Sequence, residues 1–265
     1  MGKFNYYEKI APIYEQTRWL TPSIAQEVAD VILKLVEATP QTSFLEPGIG
    51  TGLNVLPLVE RNYSVTGIDV SPAMLHQFQQ KFSEIPPNLT LIQGDASKLP
   101  FAENSFDVVL TVHMIHTVSN WQMFLDEIRR VLKKPGFYLN AQWITPPARR
   151  EFENYLRAIL SKYEPAKSST QIDQKLKQIN VEEYFHSKGY KSKYVIAKKW
   201  SVSNTIAELL SFYRSRAYGL CWHVSEEIFN LAMDEFEQFC RQNYGSLQTE
   251  LSSEAKFEIC TYTQR

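Results

Sequence analysis

The sequence is short of cysteine, of net charge and of long apolar runs, and each shortage removes a class of protein. Cys221, Cys240 and Cys260 are odd in number and widely spaced, which suits neither a disulfide framework nor a zinc site. A reduced chain without a metal is expected. Formal net charge is −1, too little to build a field that draws the chain to nucleic acid or anionic lipid. No apolar stretch approaches the roughly 20 residues needed to cross a bilayer. The opening MGKFNYYEKI lacks the apolar core of a signal peptide. Tyr6 stands where myristoylation of Gly2 needs Ser or Thr. The expectation is a cytoplasmic protein with no membrane or nucleic-acid partner; its oligomeric state is not legible. With 265 residues, 44% of them hydrophobic, the chain can bury a sizeable core as one large domain or two small ones. It shows no internal repeat and no low-complexity tract.

What is present is organised around residues 42–70, TSFLEPGIGTGLNVLPLVERNYSVTGIDV. A short apolar run, Ser43-Phe44-Leu45, ends in Glu46 and a loop with Gly48, Gly50 and Gly52. An apolar-periodic segment follows (Leu53, Leu56, Leu58, Val59), then a β-type run from Val65 to Ile68 that ends in Asp69. The order strand, glycine loop, helix, strand, acid is a βαβ unit with its loop at the carboxyl end of the first strand. Glycines there let backbone N–H groups approach a ligand where a Cβ would collide. Asp69 is placed to accept from a ribose diol. The bland alternative is a glycine-rich turn that holds nothing. A dinucleotide loop wants G-x-G-x-x-G, but position 53 is Leu.

Elsewhere the pattern is of alternating strands and helices. Phe4 to Arg18 carries Tyr6, Tyr7, Ile10, Ile13 and Tyr14 at helical spacing, and Pro22 opens a helix with Ile24, Val28, Val31, Ile32 and Leu35 on one face. Ser71 is a good cap for a helix from Pro72 to about Phe82. Strands are expected at 89–93, at 106–112, where the run is almost wholly apolar, and at 136–144 after a Lys133–Gly136 turn. A helix with Trp121, Phe124, Leu125, Ile128, Val131 and Leu132 on its stripe lies between the last two. Helices are expected within 148–182, at 181–190, 205–216 and 225–241. Strands are expected at 193–199 and 255–262, the last of them antiparallel. Arg149-Arg150 and Lys198-Lys199 read as solvated surface.

Four segments in this order resemble class I S-adenosylmethionine (SAM) dependent methyltransferases of the small-molecule type, such as the ubiquinone-pathway and trans-aconitate enzymes. They are E-P-G-I-G-T-G (46–52), an acid followed by S-P-A-M-L (69–75), G-D-A-S-K-L-P-F (94–101) and the strand ending at His113. The resemblance covers residues 44–144; Phe137 replaces a second glycine usual near Gly136. It implies an α/β, Rossmann-like fold: seven strands, mostly parallel, with helices on both faces and a helical cap. The implied organisation is one domain, with lid helices in 1–40, a SAM-binding core in 41–145, an insertion and last core helix in 146–189, and final strands with inserted cap helices in 190–265.

The cofactor implied is SAM, released as S-adenosylhomocysteine (SAH), with no metal. By the same resemblance Glu46, Gly48, Gly50, Gly52 and Asp69 bind it, and Val70 and Met74 pack near adenine. Asp95 accepts from the adenine amino group, and the Ala96 N–H donates to the ring. The Y-x-x-I-A-x-x-Y segment ending at Tyr14 resembles the lid of such enzymes, which would turn Tyr14 and Arg18 to the cofactor, Arg18 pairing with its carboxylate. A surface arginine is an equal reading.

Methyl transfer is an in-line displacement, so the protein chiefly aligns donor and acceptor and excludes water. A base is required only for an acceptor that arrives protonated; His113, which the resemblance places after the fourth strand in contact with the cofactor and facing the substrate, and secondarily Tyr14 are the candidates, while His116 suits the surface better. Candidate substrate residues are Arg214, Arg216, Tyr218, Trp222 and His223. An inward arginine among them would imply a carboxylate acceptor; core packing is the competing reading. The alternatives are an NAD(P)-dependent oxidoreductase on the same topology and a SAM-binding protein without turnover. Tyr163/Lys167 and Tyr194/Lys198 have the short-chain dehydrogenase spacing, but the first pair encloses Pro165 and the second falls in a strand-like run.

Overall fold

The computed structural model describes residues 4–163, 179–222 and 224–264. In chain order its elements are α1 (Phe4–Ile10), α2 (Pro22–Leu35), β1 (Ser43–Pro47), α3 (Leu56–Glu60), β2 (Ser64–Asp69), α4 (Pro72–Gln79), β3 (Leu89–Gln93) and β4 (Phe106–Val112). They continue with α5 (Trp121–Val131), β5 (Leu132–Ile144), α6 (Pro147–Tyr163), α7 (Val181–Ser187), β6 (Lys191–Thr205), α8 (Ile206–Arg214), α9 (Glu226–Tyr244) and β7 (Glu250–Thr263). The seven strands form one sheet in the order β3-β2-β1-β4-β5-β7-β6. β1 pairs in parallel with β2 and β4, β2 with β3, and β4 with β5. Contacts between β6 and β7 run in opposite senses: Lys193 meets Thr261, Lys199 meets Glu254 and Ser203 meets Glu250. β6 and β7 therefore run antiparallel to each other in this Rossmann-like sheet.

The chain divides into two compact units: residues 20–143, 175–198 and 257–265, and residues 1–19, 144–174 and 199–256. The first is the sheet unit. Its strand order reverses between β1 and β4, the switch point outside whose carboxyl ends α/β proteins bind ligands. The sheet core joins Leu45, Ile68 and Val109 to Phe124 and Ile128 of α5 and to Phe185 of α7. Burying one such phenylalanine, Phe124, fully stabilises the unit by about 1.5–3 kcal/mol. The second unit is helical. α6, α8 and α9 bury Phe152, Leu156, Leu209, Tyr213, Phe229 and Phe236 against one another.

Local signals explain most boundaries. Thr21, Ser71, Asn120, Thr205 and Ser225 each cap a helix by accepting from a backbone N–H, and Thr205 with Glu208 closes a capping box. The departures have identifiable causes. The helical spacing of Phe4–Arg18 is interrupted after Ile10, where Pro12 removes a donor and two 3-10 turns follow. β5 begins at Leu132, so the expected Lys133–Gly136 turn is part of the strand. β6 and β7 are longer than their alternation suggests because polar residues occupy their outer positions. α9 runs three residues beyond Arg241 and stops at Gly245, whose φ of +73° suits a helix C-terminus. Part of the helical expectation for 148–182, residues 164–178, lies outside the described residues.

Candidate active site

At the carboxyl end of β1 the chain takes a left-handed step three times: Gly48 (φ +73°), Gly50 (+56°) and Gly52 (+72°). L-residues pay about 1–2 kcal/mol for this conformation, so each position favours glycine on backbone grounds. The space around them differs. A Cβ on Gly48 would stand 2.5 Å from Met114 Sδ, and one on Gly52 would stand 2.3 Å from the Phe78 ring. A Cβ on Gly50 would meet nothing within 4 Å. Gly48 and Gly52 are thus packed against protein, and Gly50 faces an opening.

Polar groups converge on this loop. Glu46, the next-to-last residue of β1, is 1% exposed. Asn54 Nδ2 donates to its Oε1 at 3.0 Å, while Glu46 Oε2, Asn54 Oδ1 and Thr51 Oγ1 are buried without a hydrogen-bond partner in the structure. Burial, and secondarily the Asp69 charge, push the Glu46 carboxyl well above its ordinary range. Buried polar atoms are normally satisfied, so three orphans around one loop mark where a polar ligand fits. An ammonium group would supply the donors that Glu46 and Asn54 lack.

Asp69 ends β2 at the neighbouring position. Its Oδ2 accepts from the Gly50 N–H at 2.8 Å and its Oδ1 from the Ser71 N–H at 2.9 Å. The side chain therefore fastens the glycine loop to the start of α4, a structural duty that sequence reasoning did not assign to it. Val70 is half-buried beside it and Met74 is buried. After β3, Asp95 is exposed and forms a tight turn by accepting from Ser97 N–H, while Ala96 is buried in the sheet core. This loop is braced from α5. Glu127 accepts from Leu99 N–H, and Arg130 bonds Glu127 and donates to the carbonyls of Leu99 and Phe101.

His113 follows β4 with a φ of +53°, unusual for a residue with a side chain. Its Nε2 accepts from the Trp143 N–H at 3.1 Å and its ring lies 4.7 Å from that of Trp143. The lone pair on Nε2 is thus already engaged, and it cannot also take a proton while that bond stands. His116 is exposed.

The remaining candidates belong to the helical unit. Tyr14 lies under Arg18, whose Cζ is 4.1 Å from the ring centroid. Arg214 forms ion pairs with Asp234 and Glu237 of α9, each at 3.0 Å. Arg216 stacks on Phe229 and donates to the carbonyls of Val224 and Ser225. Tyr218 donates to Thr17 O, and Trp222 is buried against Tyr6. His223 lies outside the described residues. The basic pair 149–150 departs from its expectation: Arg150 is exposed but Arg149 is only 5% exposed. Its guanidinium is covered by Thr17, Trp19, Phe212 and Tyr218, which a two-residue charge pattern does not reveal. Asn54 and Thr51 were also missed; the only sequence signal was their place within one turn of the glycine run.

Among the described residues no group of three or more His, Cys, Asp or Glu side chains could hold a metal ion, and no helix is long and apolar enough to cross a membrane. Residues 45–140 match the family described as "Methyltransferase domain". A demethylmenaquinone methyltransferase of Tropheryma whipplei is 35% identical over 135 residues, 49% of this chain and 54% of that protein. The crystal structure of YcgJ from Bacillus subtilis superimposes with a TM-score of 0.54 at 21% identity, covering 90% of this chain and 98% of that one. A Haemonchus contortus phosphoethanolamine N-methyltransferase, solved with phosphomonomethylethanolamine and SAH, gives 0.54 at 15% identity over 98% of this chain and 58% of that one. These structures share the fold. The chain spans 36% and 54% of the length of two curated relatives that it matches.

Proposed function

We propose that this chain, whose residues 45–140 match the methyltransferase domain family, transfers a methyl group from SAM to a small-molecule acceptor. The observation that carries the reading is the glycine loop: an open position at Gly50, flanked by the buried and half-satisfied Glu46 and by Asp69. Glu46 and Asn54 would receive the ammonium of the cofactor, the Gly50 backbone would lie along it, and Asp69 would accept from the ribose. Met74, Val70, Asp95 and Ala96 would border the adenine. The bound cofactor supplies an activated sulfonium methyl group.

The chain's own contribution is alignment and exclusion of water rather than proton abstraction through His113 Nε2, because that nitrogen already holds the Trp143 N–H. His113 then serves by its fixed ring and backbone, and the acceptor is one that needs no strong base, a carboxylate, or a hydroxyl activated elsewhere. Tyr14 and Arg18 enter through the Y-x-x-I-A-x-x-Y segment; substituting each, with SAH affinity read by calorimetry, tests their place. A cytoplasmic location goes with this reading.

The decisive experiment is thermal shift against SAM, SAH, NAD and NADP, since a ligand that binds only the folded state raises the melting temperature. Stabilisation by the two adenosyl ligands alone is expected, after which carboxylic acids and phenols are screened for methyl transfer. Stabilisation by a nicotinamide cofactor alone would overturn the reading.

A further inference from the structure

The helical unit gathers two guanidinium groups that, among the described residues, no acid pairs. Arg149, the third residue of α6, is 5% exposed. Its Nη2 donates to Thr17 O at 3.2 Å and to the Tyr218 hydroxyl, both neutral oxygens. Its Cζ lies 4.8 Å from the Trp19 ring centroid and 5.0 Å from that of Tyr218. Arg18 lies over the same Tyr218 ring at 5.3 Å and donates to Thr17 Oγ1 and Ala217 O. Among the described residues no carboxylate is within ion-pair distance of either arginine. Glu153, which attracts Arg149 electrostatically, is engaged by Arg157 at 2.8 Å and by the Tyr213 hydroxyl at 3.4 Å.

Tyr213 and Glu153 attract the Arg149 guanidinium, while two other features near it add positive potential. The amino end of α6, a 17-residue helix, carries the positive pole of its dipole, and Arg18 repels the group. Burial first, and Arg18 after it, lower the Arg149 guanidinium to about 10. Aromatic faces recover part of the cost of burying a cation. They do not supply the charge-assisted, two-pronged acceptor to which a guanidinium is matched. Buried charges are ordinarily paired, and here no carboxylate partner stands among the described residues.

We propose that Arg149, with Arg18 beside it, is a docking point in the helical unit for a ligand carboxylate. The proposal rests on the methyltransferase reading and deepens it, since two carboxylates belong to such a reaction: that of the methionine end of SAM and that of an acidic methyl acceptor. Arg149 is a binding residue in either case, and Tyr218 positions it by accepting its N–H while donating to Thr17 O.

Calorimetry on the full chain separates the two sources. The probes are SAH, 5′-methylthioadenosine (which lacks the amino-acid end), succinate and benzoate, each titrated into wild type and Arg149→Met. A loss of SAH affinity of tenfold or more, with methylthioadenosine unaffected, supports the proposal and assigns the site to the cofactor. Unchanged SAH affinity with saturable succinate or benzoate binding lost in the variant supports it and assigns the site to the acceptor. Identical binding of every probe by both proteins overturns it, leaving Arg149 as a packed cation. So does a wild type that binds SAH no more tightly than methylthioadenosine and binds neither acid. Should Arg149→Met fail to fold, Arg149→Lys, which keeps the charge but not the fork, is read in the same way. A wild type that binds neither adenosyl compound would sink the methyltransferase reading alone, and the two acids would then decide the proposal.

Discussion

Replacing Glu46 by Gln is expected to make the ligand-free protein more stable and its cofactor binding weaker. Glu46 is 1% exposed, one of its oxygens has no partner, and Asp69 adds a like charge nearby. Glutamine keeps the acceptor that Asn54 Nδ2 needs and is neutral without the proton that the buried carboxyl must take up on folding. An unsatisfied buried group costs about 1–3 kcal/mol, more when charged, so a gain of about 2 kcal/mol at pH 7 is reasonable. That corresponds to a rise of about 4–8 °C in melting temperature for a chain of this size.

The pH dependence has a definite sign. Burial raises the folded-state pKa above the ordinary carboxyl value of 4.5, so the folded protein holds a proton that the unfolded chain has released. Stability then falls as pH rises from about 4.5 through the raised folded value. The advantage of Glu46→Gln should vanish near pH 4 and grow across that window. With SAH the order reverses, because the ammonium loses a charge-assisted bond of about 1.5–3 kcal/mol, roughly a tenfold to hundredfold loss of affinity. Melting curves from pH 4 to 8, with and without SAH, and calorimetry at pH 7.5 read both effects. A variant less stable than wild type at pH 7, or one that binds SAH as tightly, would refute the reasoning.

Four further outcomes follow from the same geometry. Gly52→Ala should cost about 2–5 kcal/mol, from its left-handed backbone and a clash with Phe78. Gly50→Ala should cost only about 1–2 kcal/mol yet abolish SAH binding; denaturant unfolding beside calorimetry separates the two, and equal stability losses would contradict the difference in space. Asp69→Ala should lose stability of about 2 kcal/mol or more as well as affinity, because two backbone N–H groups lose a charged acceptor, whereas Asp69→Asn should lose less of both. His113→Asn, which tolerates the left-handed backbone, should lower turnover on an identified acceptor less than about tenfold, against the 10²–10⁴-fold expected for removal of a general base. A larger loss with SAH affinity intact would restore His113 as the base.

The division between what sequence and structure decided follows physical range. Strand, loop and helix order from Ser43 to Ile144, the caps at Ser71 and Ser225, and the glycine loop were legible, because each depends on side-chain periodicity or on groups within one turn of the chain. The alternation of residues 255–262 also placed the last strand, though not its full length, since a strand with polar outer positions fades into its flanking loops. Only the tertiary structure decided what those elements do to one another. Gly50 opens on space while Gly48 and Gly52 are blocked by Met114 and Phe78, residues distant in sequence. His113 loses its Nε2 lone pair to a backbone N–H thirty residues away. Arg149 reads as half of a solvated basic pair until the helical unit buries it among Thr17, Trp19 and Tyr218. A sequence states which groups a chain carries; whether a charge is solvated, paired or stranded is settled by which distant segments exclude water from it.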